Sequence, residues 1–330
     1  MIPSTISRRT ALKQTFCFSA ALLAGKTSLG AKPVLAQAPG SSHFTMIGDW
    51  GKDGENAMQK AVAKGMESYM NSAGFTPEAM FLLGDNFYGP FKGGTNCPRW
   101  KEQFSMVYPK SVFPGSCHAV LGNHDYDDEP VEKLKAELAY AKANPGTRWN
   151  MPAKWYRLDI AQAGNPLMTV LAVDSNYHNG RVSLTMEERA GQMVWLKSEL
   201  AKPKTAPWLV VTGHHPLYSN GQHGDDPALI KDWDALFREH GVHFYFCGHD
   251  HDLQHLEFDG HPTSFVISGG GGASVRDLKE HERGPFSKAV HGFTHLEVTP
   301  ERFHVRHVDE NGQLLHGFAK TPDGAWRLLG

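Results

Sequence analysis

The sequence predicts an α/β fold with a largely parallel sheet, on three observations. Short apolar runs recur, most of them ending in Gly, Asp or His. Helix-length stretches separate those runs. No repeat, low-complexity linker or composition break divides the chain after residue 40. With 330 residues, 40% hydrophobic and 21% charged, the chain can bury a sizeable core and is too apolar for a disordered one. Residues 39–330 therefore read as a single domain.

The first 38 residues read as an address rather than as fold. Ser7-Arg8-Arg9-Thr10-Ala11-Leu12-Lys13 precedes a modestly apolar run, Phe16 to Ala24, and Ala36-Gln37-Ala38 has the small-x-small form of a cleavage site. Paired arginines and a weak apolar core favour twin-arginine export over an ordinary Sec signal. That route carries folded cargo to a periplasmic or secreted destination, by way of the twin-arginine machinery. Cys17 lacks a lipobox, so no lipid anchor is expected. The segment holds five of the 33 basic residues and no acid, leaving 28 basic against 35 acidic residues. A mildly acidic body has no electrostatic footprint for nucleic acid. Mean hydropathy is −0.41, and no apolar run reaches the roughly 20 residues of a spanning helix.

The predicted strands are His43–Gly48, Ala79–Gly84, His118–Gly122, Met168–Asp174, Trp208–Gly213, His243–Gly248 and Ser264–Gly269. They are short, apolar and mostly bounded by glycine, the pattern of strands buried on both faces. Helices are expected near Asn56–Met70, Glu129–Ala143, Thr185–Ala201 and Pro227–His240. Met193, Leu196 and Leu200 fall on one helical face. Phe293–Val298 and Phe303–Val308, parted by Pro300, predict a hairpin or edge pair. Cys97, Cys117 and Cys247 allow at most one disulfide, and sequence does not say which.

The strand ends carry the chemistry. They read Asp49-Trp50-Gly51, Gly84-Asp85-Asn86-Phe87-Tyr88, Gly122-Asn123-His124-Asp125, Gly213-His214-His215 and Gly248-His249-Asp250-His251. In a parallel sheet these ends share one edge, where ligands gather. A lone Asp after a strand is usually a turn residue. Gly-His-x-His is sharper, because i and i+2 of an extended chain point the same way. Asp49, Asp85, Tyr88, Asn123, His214, His249 and His251 are too many for one zinc, which takes four ligands. They suit two metals bridged by a carboxylate, and Asp85 is the best bridge. Phenolate is a strong donor to a trivalent ion. A site with Asp49, Tyr88, one histidine and the bridge fits Fe³⁺. A site with Asn123, two histidines and the bridge fits a divalent ion, Fe²⁺, Zn²⁺ or Mn²⁺. Charge does not say which histidine goes where.

This ordered set resembles the purple acid phosphatases, metallophosphoesterases with a calcineurin-like fold. It is most similar to their small, tartrate-resistant branch. Gly213-His214-x-Pro216, Arg148-Trp149-Asn150-Met151-Pro152 and the Ser268-Gly269-Gly270 loop add to the likeness, which runs from about Phe44 to Gly272. Broader relatives have a histidine where this chain has Gly51, and lack the motif tyrosine. Gly269–Gly272 is more glycine-rich than the branch's turn. The resemblance implies a four-layer α-β-β-α sandwich. It also implies Fe³⁺ on Asp49, Asp85, Tyr88 and His251, and the divalent ion on Asp85, Asn123, His214 and His249. His124 and His223 would contact the substrate, and either would protonate the leaving group. The implied activity is hydrolysis of phosphate monoesters by a hydroxide that the two ions activate. Asp125 or Asp174 would orient a ligand histidine, and His215 neighbours one. The alternatives are a phosphodiesterase or nucleotide-pyrophosphate hydrolase on the same centre and, more remotely, a redox-active di-iron protein. The natural partner is a small phosphorylated substrate. The remaining histidines read as structural or surface residues.

Overall fold

The computed structural model describes residues 40–52, 54, 56–127, 132–177, 183–279 and 283–329. The expected export signal, His178 and His281 lie outside them.

Two mixed sheets stack face to face. In the first, β1 (Ser42–Ile47), β2 (Ala79–Leu82), β3 (Ser116–Ala119) and β4 (Trp149–Asn150) run parallel. On the other side of β1, β12 (Gly292–Val298), β13 (Phe303–Asp309), β14 (Leu314–Lys320) and β15 (Trp326–Leu328) continue antiparallel. In the second sheet β6 (Asn165–Ala172), β7 (Trp208–Thr212), β8 (Phe244–Cys247) and β10 (Ser264–Ser268) are parallel. The antiparallel strands β5 (Tyr156–Gln162), β9 (Leu253–Leu256) and β11 (Phe286–Lys288) flank them.

Phe44, Met46, Phe81, Leu83, Val210 and Phe246 fill the space between the sheets. That explains why these strands read as continuous apolar runs: both faces are covered. Helix α1 (Ala57–Ala73) and helix α2 (Glu132–Ala143) cover the first sheet, with Val62, Met66, Tyr69 and Leu134 in its outer core. Helix α3 (Met186–Leu200) covers the second, with Leu196 and Leu200. Beside it a helical run of Pro227–Leu229, a π-helical Ile230–Asp234 and Ala235–His240 buries Trp233 and Phe237. Helix, sheet, sheet, helix is the expected four-layer order.

The expectation of a largely parallel sheet needs correction. Helix-separated strands form the parallel centres, but hairpins widen both sheets. Hairpin strands such as β5 alternate half-buried and exposed residues and show no apolar run. The β12–β13 hairpin exists, although it lies between β1 and β14 rather than at an edge. Helix α3 opens on a capping box at Thr185, whose Oγ1 accepts Glu188 N at 3.1 Å while Glu188 Oε2 accepts Thr185 N at 2.9 Å. Cys97, Cys117 and Cys247 are buried free thiols.

Candidate metal centre

The carboxyl ends of β1, β2, β3, β7 and β8 meet along the seam between the sheets, and the chain turns sharply there. Asp49, Asp85 and His249 have φ of 59°, 49° and 69°, three of the four described non-glycine residues in the left-handed region. Such a conformation costs about 1–3 kcal/mol and persists where surroundings over-determine it. Here the turns hold one another. Asp49 Oδ2 accepts His249 N at 2.9 Å, and Asp85 Oδ1 accepts His124 N at 2.7 Å. Ser175 Oγ accepts both His214 N and His215 N, at 3.1 and 2.8 Å. A Cβ on Gly51 would lie 1.6 Å from the Asn86 carbonyl oxygen. No histidine fits at that position, and Tyr88 supplies a polar atom instead.

Two groups of donor atoms result. Tyr88 Oη lies 3.3 Å from Asp49 Oδ1 and 3.3 Å from His251 Nε2. His251 Nε2 lies 3.4 Å from Asp49 Oδ1. The other group has His214 Nε2 at 3.3 Å from Asn123 Oδ1 and 3.4 Å from Asp85 Oδ1. His249 stands against it, its ring centroid 5.1 Å from that of His214. All seven expected ligands are thus gathered at one edge. His215 joins them, its ring 4.3 Å from His249, within a cluster of His214, His215 and His249; Asp49, Asp85 and His251 form a second cluster.

Proton bookkeeping shows what these groups ask for. His214 Nδ1 donates to the Leu83 carbonyl at 2.8 Å, and His251 Nδ1 to the Ser274 carbonyl at 2.7 Å. Carbonyls only accept, so both Nδ1 atoms carry protons and both Nε2 atoms face oxygen acceptors. Lone pairs converging in a buried site need positive charge between them. Spacings of 3.3–3.4 Å suit neighbouring donors on an ion with bonds of about 2.0–2.2 Å.

Charge effects agree. Burial, then the Asp85 and Asp49 carboxylates, push the Tyr88 phenol well above its ordinary range. Burial opposes a charged His214, yet the Asp85 and Asp49 charges push it up to about 10. Asp85 is held well below the carboxylate range, burial opposing and the His214 charge prevailing. Burial, then the neighbouring His215 and His214, drive His249 well below the usual imidazole range. With protons alone, His214 serves as the cation of the carboxylate side.

His124 rests its ring over Tyr88, 4.3 Å between centroids, and its Nδ1 is tied to the Asp127 carboxylate. His223 is stacked on His249 at 4.0 Å, with Nδ1 at 2.8 Å from Asp250 Oδ1. Asp125 and Asp174 do not orient ligand histidines. Asp125 accepts from Gly122 N, Asn86 N and Phe87 N at 2.8, 3.2 and 3.1 Å, and braces the turn instead. Asp174 is buried and accepts from Tyr126 and Asn176. Backbone carbonyls do the orienting, and no side-chain pattern marks them. Asp127 and Asp250 are the carboxylates that hold His124 and His223; Asp250 lies inside the Gly248–His251 motif and Asp127 three residues after His124.

Comparison with known proteins agrees with this geometry. A family model described as calcineurin-like phosphoesterase matches residues 42–253. Tartrate-resistant acid phosphatase type 5 of Mus musculus is 30% identical over 297 residues, 82% of this chain and 88% of the mouse protein. Purple acid phosphatase 17 of Arabidopsis thaliana is 28% identical over 85% of each chain. In structure, the chain is similar to GAP50 of Plasmodium (TM-score 0.72, 22% identity, 84% of this chain and 87% of that one). It is also similar to a purple acid phosphatase from yellow lupin (TM-score 0.65, 16% identity, 87% and 54%). The chain belongs to the calcineurin-like phosphoesterases and, within them, is an acid phosphatase of the purple, tartrate-resistant type.

Proposed function

Proceeding from that membership, we propose that this chain is a phosphomonoesterase with an Fe³⁺–M²⁺ centre. Asp49, Asp85, Tyr88 and His251 would hold Fe³⁺; Asp85, Asn123, His214 and His249 would hold Fe²⁺, Zn²⁺ or Mn²⁺. The observation that carries this reading is the triangle of Asp49 Oδ1, Tyr88 Oη and His251 Nε2, with edges of 3.3–3.4 Å. A phenol beside two carboxylates is costly to ionise, and a trivalent ion offsets that cost.

When bound, the two ions supply Lewis acidity to water and phosphate. The chain's own residues do the rest. Leu83 and Ser274 carbonyls hold His214 and His251 with Nε2 inward. The Asn123 amide nitrogen is a donor for a phosphate oxygen. His124, with Nδ1 on Asp127, is the proton donor: the carboxylate stabilises the imidazolium and leaves Nε2–H for the departing alkoxide or phenoxide. His223, held by Asp250, lines the rim as a substrate contact; its Nε2 accepts from Arg276 at 3.0 Å, which leaves His124 as the proton donor.

Residues 1–38 are read as a twin-arginine signal, so the working enzyme is a periplasmic or secreted domain of residues 39–330. The test removes metal with chelator and restores iron and zinc singly and together, following phenyl phosphate hydrolysis and bound metal. Activity returning only with two ions per chain is the expected result; full activity of the metal-free protein would overturn the reading.

A further inference from the structure

Two cations stand at the mouth of the centre outside the ligand set. Arg276 Nη1 lies 3.0 Å from His223 Nε2, over the ring that stacks on His249. Lys52 Nζ donates to Ser274 Oγ at 3.1 Å. Among the described residues neither has a carboxylate in ion-pair reach. Ser274 links them to the centre, because its carbonyl holds His251 and Arg276 follows two residues later.

The loop that carries Ser274 and Arg276 is fixed against the Asp49 turn. Ala273 N donates to Asp49 O at 2.8 Å, and Gly271 N to Gly48 O at 3.1 Å. A Cβ on Gly271 would lie 2.4 Å from that Gly48 oxygen. The glycine run therefore permits a backbone-to-backbone approach that sets the cations in place before substrate arrives. The neighbouring cavity, which shares His223 with Arg276, has another character. This cavity of about 340 Å³ beside His215 and His249 is lined by Pro216, Pro227, Ala228, Asp225 and Asp226. Asp225 is occupied by Arg283 at 2.8 Å, and Asp226 caps Ala228 N and Leu229 N at 2.9 and 3.0 Å.

Among the described residues, two cations thus stand beside an apolar and acidic cavity, in a body with 28 basic and 35 acidic residues after residue 38. A guanidinium presents a planar fork matched to phosphate oxygens, and an ammonium beside it adds a second point of attraction. We propose that Arg276 and Lys52 form a subsite for a second phosphate group, making bisphosphorylated compounds the preferred substrate class. The organic part of the substrate lies toward the 340 Å³ cavity. This assignment rests on the dinuclear reading above for the place of the reacting phosphate.

The test compares kcat/KM for fructose 1,6-bisphosphate and fructose 6-phosphate in the metal-loaded wild type, Arg276→Gln and Lys52→Gln. Calorimetric binding of methylenediphosphonate against methylphosphonate repeats the comparison without turnover. The bisphosphate-to-monophosphate ratio should fall about tenfold in Arg276→Gln, the loss of a charge-assisted contact, and less in Lys52→Gln. The diphosphonate preference should shrink in parallel. Equal losses on both sugars, or ratios and preferences unchanged, would overturn the subsite. Wild-type turnover of fructose 6-phosphate reads the phosphatase assignment separately, and diphosphonate preference reads the subsite even where turnover fails. Lys52 is exposed and Arg276 half-buried, so both variants should fold.

Discussion

The metal edge and the carboxy-terminal strands are both rich in histidine, and they use it in opposite ways. At the edge, His214 and His251 each give one N–H to a backbone carbonyl and leave Nε2 facing other acceptors. Around β12–β14, His255, His295 and His307 engage both ring nitrogens within the protein. His307 reaches Thr294 Oγ1 at 2.9 Å and the Gln254 carbonyl at 3.0 Å. His255 reaches His316 Nε2 at 3.0 Å and Glu257 Oε1 at 2.8 Å, with its face on Phe318 at 3.5 Å. His295 reaches His43 Nδ1 at 3.0 Å and Tyr69 Oη at 3.1 Å. Abundance of imidazole therefore marks nothing by itself. What distinguishes a metal edge is a buried convergence of carboxylate, phenol, amide and imidazole donor atoms on one space, with Nε2 turned inward by backbone carbonyls.

Substitution should separate the two regions. The largest effect on function is expected for Asp85→Asn, which weakens both ions at once: turnover should fall by at least about 100-fold, with bound metal lost. His255→Ala and His307→Ala should do the reverse. Each removes a fully buried side chain and should cost about 2–4 kcal/mol of stability, while metal per folded chain stays unchanged. Chemical denaturation with metal analysis checks both; metal loss in His307→Ala would erase the distinction. Next in size, His124→Ala should lower kcat by roughly 10²–10⁴, most for poor leaving groups, with both ions retained. Asp127→Asn, which weakens the support of that imidazole, should lower kcat by roughly tenfold, read in the same leaving-group series.

The two regions should also differ in pH dependence. Burial drives His255, His295 and His307 well below the usual imidazole range, and burial, then His255, lowers His316 to about 3. These rings stay neutral in the folded state, whereas in the unfolded chain they gain protons below about pH 6.5. Stability should therefore decline as pH falls through 6.5, each ring contributing a slope of up to about 1.4 kcal/mol per pH unit. Urea midpoints between pH 7 and 5 check the sign, and His316→Phe should flatten the decline.

The same contrast explains what was legible in the sequence. Each ligand follows a short apolar strand and most follow a glycine, so Asp49, Asp85, Asn123, His214 and His249 announce themselves by position. Tyr88 and His251 come three and two residues after a ligand, within the same turns. The central strands read clearly because both faces are covered. Of the flanking strands, β12 and β13 read as a hairpin, whereas β5 and β14 show no apolar run, because β5 is partly exposed along its length and β14 is half exposed at its start. Nor were the pairings of His255, His295 and His307 legible. Apart from Glu257, two residues after His255, their partners come from other strands and helices. Asp125 reads as a ligand-orienting carboxylate from its place after His124, yet the nearest unsatisfied donors are the backbone N–H groups of Gly122, Asn86 and Phe87.

The central claim is that Tyr88 faces a trivalent iron while the histidines of the carboxy-terminal strands face only protein. The visible absorption spectrum of the purified protein beside Tyr88→Phe, with iron analysis of both, tests it most directly. A broad phenolate-to-iron charge-transfer band in the wild type, abolished in Tyr88→Phe, is the predicted result. Two metals per chain with no iron and no band, or a band that survives in Tyr88→Phe, would contradict it.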